Sequence, residues 1–152
     1  MIQSYIDTTP VVLASNSSAV AFQRDCIRTR NAYCQCGGWL NHSEGSPLYK
    51  ITKGGRYKIE LTGNVSSATA GVIALGVYVD GVLAPGSEAI VTLATAGDYE
   101  NISISKTIEV CCDATITIQA IPTVITPTAV TTPITTQIPI ITNANLQINR
   151  KC

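Results

Sequence analysis

The sequence predicts an all-β sandwich of about eight to ten short antiparallel strands, and three features of its 152 residues lead there. Hydrophobic residues make up 45%, yet there is one Phe, one Trp and one Met, so the apolar content is mostly Val, Ile, Leu and Ala beside abundant Thr. Branched side chains lose less freedom on a pleated surface than in a helix. Apolar residues recur with a period of two in several windows, the spacing expected where one face is buried and the other wet. Gly, Asn, Asp and Ser punctuate these windows, and no stretch reads as a capped helix.

In chain order, Val11 to Leu13, Ala19 to Phe22 and Leu48 to Ile51 are short strand candidates. The clearest strand runs from Tyr57 to Val65, with apolar residues at odd positions and mostly polar ones at even positions. Ile73, Leu75, Val77 and Val79 repeat the pattern, and Asp80-Gly81 then supplies a two-residue hairpin signal. Residues 84 to 96 contain helix formers but are broken by Pro85-Gly86 and Ala96-Gly97. Ile102, Ile104, Ile108 and Val110 mark a further strand, Ile116, Ile118 and Ala120 another, and Leu146 with Ile148 the last. The expected core is Phe22, Tyr57, Ile59, Leu61, Ile73, Leu75, Val77, Ile104, Ile116, Ile118, Leu146 and Ile148.

Residues 1–152 read as one domain, within which residues 122–139 stand apart as nearly pure Thr, Pro, Ile and Val without a charge. Prolines at 122, 127, 133 and 139 each remove a ladder donor and exclude a central strand. The segment is therefore expected to be an extended arm or long loop. Flexible linkers are usually Gly/Ser-rich or charged, so Ile125, Val130, Ile134 and Ile138 are candidate contacts with another subunit. A donated arm closing around a threefold axis would bury them.

Ten basic and ten acidic residues cancel, and no Lys/Arg run provides a footprint for a phosphate backbone or an anionic membrane. Nucleic acid and membrane are therefore not expected as partners. Charged residues are only 13%, about half the share of an average soluble domain, which favours regular self-association. The opening residues lack a basic n-region and an apolar run of signal length, so synthesis in the cytoplasm without export is expected. On that reading the Asn-x-Ser sequons at Asn16, Asn41, Asn64 and Asn101 mark surface turns and strand edges and stay unglycosylated.

Little in the chain points to catalysis. His42 is the lone histidine and reads as a turn residue beside Ser43 and Glu44, with no nucleophile elbow anywhere. Gly37-Gly38 and Gly54-Gly55 lack the spacing of a phosphate-binding loop. No cofactor and no metal is expected: Cys34, Cys36 and His42 with Cys111 or Cys112 could be gathered around zinc, but Cys-x-Cys is not the usual knuckle. Six cysteines, at 26, 34, 36, 111, 112 and 152, allow fifteen complete pairings. In a strand Cys111 and Cys112 would face opposite sides, making a disulfide from Cys34 or Cys36 to one of them a candidate. Reduced buried thiols are the alternative.

Ala19-Val20-Ala21-Phe22, then Gly55-Arg56-Tyr57-Lys58-Ile59, then Val77-Tyr78-Val79-Asp80-Gly81-Val82 follow one another in an order that resembles the C1q/TNF-like jelly-roll family. The resemblance covers roughly residues 19 to 121 and the final strand, and it implies a homotrimer of ten-stranded jelly rolls. The Thr/Pro segment and the scarcity of aromatics depart from the family pattern. The low charge, Thr-rich strands and closing Asn143 to Arg150 also resemble head fibres and capsid decoration proteins of tailed bacteriophages. The function this implies is a non-enzymatic virion structural protein, a homotrimer on the capsid surface bound to the major capsid protein or another virion protein. The alternative is a receptor- or glycan-binding adhesin module of a phage tail or cell surface, since fold alone does not decide function.

Overall fold

Fourteen strands and no helix form among the described residues. The structure, a computed structural model, describes residues 1–7, 9–28, 38–124 and 133–151, with the backbone alone for 26–28. The N-terminal strands are β1 (Ile2–Ile6), β2 (Val11–Val12), β3 (Arg24–Arg28), β4 (Leu40–Asn41) and β5 (Tyr49–Ile51). The long central strands are β6 (Gly55–Ser66) and β7 (Gly71–Val79), followed by β8 (Val82–Leu83) and β9 (Ala89–Leu93). Then come β10 (Glu100–Val110), β11 (Thr115–Ala120), β12 (Thr123–Val124), β13 (Ile134–Thr135) and β14 (Ile140–Lys151).

Two antiparallel six-stranded sheets face each other. One has the order β10-β6-β14-β1-β3, with β2 also on β14; the other has β4-β5-β11-β7-β8, with β9 also on β7. Long-range neighbours such as β1 on β14 and β6 on β10 make this a jelly-roll sandwich. All twelve expected core residues are buried, Phe22, Tyr57, Ile59, Ile73, Val77, Ile116 and Ile148 completely. The Asp80-Gly81 signal holds: both residues have positive φ, 50° and 80°, and join Val79 to Val82 as a two-residue hairpin.

The register between β6 and β14 depends on one glycine. Between Thr142 and Asn145 the ladder shifts, so that Asn143 and Ala144 together oppose Gly63, with Asn143 at φ 48°. This is a bulge, an extra residue that bends its strand and presses it on the neighbour. A Cβ at Gly63 would lie 2.8 Å from Ala144 Cβ and 3.0 Å from Ala144 Cα. Only glycine fits there without displacing backbone.

β10 is a regular edge strand of eleven residues, an open template for pairing with another chain. Ile102, Ile104, Ile108 and Val110 point inward and are buried, but Lys106 occupies the same phase. Its ammonium reaches across to Gly86, in the loop between β8 and β9 of the other sheet. An inward-pointing lysine is a recognised device against edge-to-edge aggregation, because pairing there would bury the charge.

Two readings need correction. Ala19 to Phe22 forms only an isolated bridge, Ala19 to Gln119, although Phe22 is fully buried. Asn64 lies on β6 between β10 and β14, not at a turn or edge, because the strand runs on through Gly63 to Ser66. The strands β1 and β3 are additions to the candidates read from the sequence.

Candidate functional site

The most concentrated polar chemistry lies inside the sandwich. Ser4 on β1 donates from Oγ to Asp25 Oδ1 of β3 at 2.6 Å. His42, just after β4, places Nε2 3.4 Å from the same carboxylate oxygen and Nδ1 2.9 Å from the Leu48 carbonyl oxygen. A carbonyl only accepts, so Nδ1 carries the proton and donates. The imidazole stacks on Tyr49 of β5, with ring centroids 3.9 Å apart and planes 8° from parallel. The group thus joins β1 and β3 of one sheet to β4 and β5 of the other.

The reading of His42 as a turn residue places it close to the turn at residues 44–45 but did not foresee its burial. Its side chain is 0% exposed and that of Asp25 only 7%. The physical reason is pairing: a buried imidazole and carboxylate are tolerable where each meets a partner. The Tyr49 hydroxyl is also buried and closes no hydrogen bond of normal geometry among the described residues. Burial pushes its phenol well above the ordinary tyrosine range; the nearby Ser4 hydroxyl opposes the shift and the Asp25 carboxylate adds to it.

Ser4, Asp25 and His42 are the residue types of a catalytic triad, but their order is different. The serine hydroxyl is committed to the carboxylate rather than to the imidazole, and Ser4 is 0% exposed. A nucleophile needs the base within hydrogen-bond reach and a space for substrate. The arrangement instead links the two sheets through the core, where a buried polar network favours one packing over others. One signal for it stood in the sequence: Ser4 shares the period-two phase of Ile2 and Ile6, both buried.

The cysteine expectations meet the structure at only one point. Cys34, Cys36 and Cys152 lie outside the described residues, as does the side chain of Cys26. Cys111 and Cys112 are free, and both are exposed. The reasoning that a strand would send them to opposite faces is corrected: β10 ends at Val110, and the pair sits in the turn to β11. The chain must leave one sheet for the other here, and Asp113, at φ 65°, helps to reverse it. Among the described residues no group of three His, Cys, Asp or Glu could hold a metal ion.

Both ends of the Thr/Pro segment fold onto their own sheet. Thr123–Val124 and Ile134–Thr135 pair as a small hairpin. Thr136 Oγ1 donates to the Ile121 carbonyl, the Ile121 amide to Ala74, and the Gln137 amide to Val72. Val72, Ala74, Ile121 and Val124 form a second apolar cluster on the outer face of β7. Residues 72–77 of β7 are therefore buried on both faces. Ile134 and Ile138 stay 38% and 45% exposed, while Ile125 and Val130 lie outside the described residues.

Other large apolar side chains are open to solvent, including Val12 at 65%, Val82 at 70% and Tyr99 at 54%. A shallow groove of about 440 Å³ separates the β7–β8 hairpin from β10, lined by Val79, Val82, Leu83, Pro85, Lys106 and Ile108 among others. Its lining sets an apolar majority beside the polar side chains of Lys106, Thr107 and Glu109. No helix among the described residues is long and apolar enough to cross a membrane.

No protein-family model and no curated protein matches the sequence. Solved structures do match. The globular domain of zebrafish complement 1qA protein superposes with a TM-score of 0.58 at 10% identity, covering 99% of this chain and 98% of that one. Eiger TNF from S. frugiperda gives 0.62 at 4% identity, covering 99% and 92%. Murine APRIL at pH 5.0 gives 0.53 at 10% identity, covering 96% and 97%. The likeness runs the length of both partners in each comparison, and the chain therefore has the C1q/TNF-like jelly-roll fold.

Proposed function

We propose that the chain is a non-enzymatic structural module that self-associates as a homotrimer and decorates or stabilises the outer surface of a phage capsid. The observation that carries the assembly reading is the surface of this jelly roll: Val12, Val82, Tyr99, Ile134 and Ile138 stand open on a chain with only 13% charged residues. Large apolar groups left in water favour burial against a neighbour, and closed symmetry limits that burial to a defined number of copies. The family resemblance implies three. The buried Ser4–Asp25–His42 arrangement supports the non-enzymatic reading, since its hydroxyl is spent on a carboxylate. Capsid attachment rests on the likeness of the sequence to phage decoration proteins, with the major capsid protein as partner.

The test is cosedimentation of the purified protein with capsid shells that lack it. Saturable binding at a copy number set by shell symmetry is expected. Absence of binding to shells, with binding to intact host cells instead, would replace this reading by that of an adhesin.

A further inference from the structure

We propose that Cys111 and Cys112 form a vicinal dithiol site that small-molecule disulfides oxidise reversibly, closing a bond between the two neighbouring sulfurs. Free cysteine is among the most buried residue types in folded proteins. Here two in succession are both exposed, and neither serves the core. Adjacency keeps the two sulfurs on one turn, so ring closure is intramolecular. The Cα spacing of neighbours, about 3.8 Å, is below the usual disulfide range, which strains the bond and makes it readily reducible.

The turn is braced from beneath. Gly54 packs so closely that a Cβ there would lie 3.2 Å from the Cys112 nitrogen and 3.3 Å from the Val110 carbonyl oxygen. The Arg150 guanidinium donates to the Gly54 carbonyl at 3.0 Å, tying this contact to the end of β14. Beyond the pair, the Thr115 amide donates to Asp80 Oδ1 at 2.8 Å and Lys50 Nζ lies 3.8 Å from Asp113 Oδ1. Backbone and flanks are held while both cysteines stay exposed.

The chemistry balances with one oxidant, a low-molecular-weight disulfide such as glutathione disulfide. One cysteine, as thiolate, attacks a sulfur of the oxidant, forming a mixed disulfide and releasing one small thiolate. The second cysteine, as thiolate, attacks the protein sulfur of that mixed disulfide, forming the Cys111–Cys112 bond and releasing the second small thiolate. The protein loses two electrons and two protons, and the oxidant leaves as two thiols. The ring would fix the connection between the two sheets, and reduction would free it again.

The sequence makes the readout simple, because the tryptic peptide Thr107–Arg150 contains these two cysteines and no other. The full chain is reduced, exposed to glutathione disulfide and digested without reduction. The expected result is that this peptide loses the mass of two hydrogens and carries no glutathione. In Cys111→Ser and Cys112→Ser the reaction should stop at the glutathione adduct, with melting unchanged because both positions are exposed. A stable glutathione adduct in the unsubstituted chain, two free thiols after oxidation, or a bond from this peptide to one carrying Cys26, Cys34, Cys36 or Cys152 would each overturn the proposal.

Discussion

Substituting Gly63 by Ala places a methyl carbon where Ala144 already stands. The new Cβ would sit 2.8 Å from Ala144 Cβ and 3.0 Å from Ala144 Cα, and Ala144 is 2% exposed with no room to withdraw. Overpacking of this kind costs about 1–3 kcal/mol, against about 0.5–1 kcal/mol returned when alanine replaces glycine within a strand. The net expectation is a loss of about 0–2.5 kcal/mol, centred near about 1 kcal/mol, which at the centre is roughly 2–4 °C in melting temperature for a domain of this size. Ala144→Gly alone should also destabilise, by about 1–2 kcal/mol, through the lost methyl group and added chain entropy. Combined, the two changes remove the Cβ–Cβ clash but keep the approach to Ala144 Cα, so the double variant should be more stable than the sum of the singles by at least about 0.5 kcal/mol. Urea denaturation at one fixed protein concentration, followed by far-ultraviolet circular dichroism, measures all four species. Strict additivity, or a stabilising Gly63→Ala, would refute the bulged register of β6 and β14.

Other perturbations read different parts of the structure. Leu61→Ala and Leu75→Ala should each cost about 2–5 kcal/mol through lost transfer energy plus a cavity, since both side chains are at most 2% exposed; unchanged melting in both would contradict the sandwich core. Ser4→Ala removes a buried donor to the Asp25 carboxylate and should cost about 1.5–3 kcal/mol by chemical denaturation. The Tyr49 phenol ionises at higher pH in the folded than in the unfolded chain, so its contribution is intact below the unfolded value of about 10 and is lost as pH rises above it, at up to about 1.4 kcal/mol per pH unit. Tyr49→Phe should reduce that alkaline slope in stability measured from pH 9 to 12, and an identical slope would count against the buried phenol.

The parts of this fold that were legible in the sequence are those where one side of a strand meets the core and the other meets water. β6 shows this plainly, with Tyr57, Ile59, Leu61 and Val65 buried in alternation. β7 was legible as a strand but not as one covered on both faces, because its second face is small, Ala74 and Gly76, and what covers it comes from Ile121 and Val124 far along the chain. β3 was hidden because Arg24 and Asp25 give it little apolar content, and an edge strand tolerates that. The interior polar group was hidden for a different reason. Ser4, Asp25 and His42 are separated by 21 and 17 residues and meet only through the jelly-roll crossing of β1, β3 and β4. The turn position of Cys111 and Cys112 was missed because Val110 continues an apolar alternation that gives no warning of its end.

The central claim, that this jelly roll assembles as a closed trimer, is tested most directly by the mass of the purified chain in solution. Light scattering coupled to size-exclusion chromatography, at physiological salt and over a tenfold range of concentration, should return three times the mass of one chain throughout. A stable monomer across that range would contradict the account.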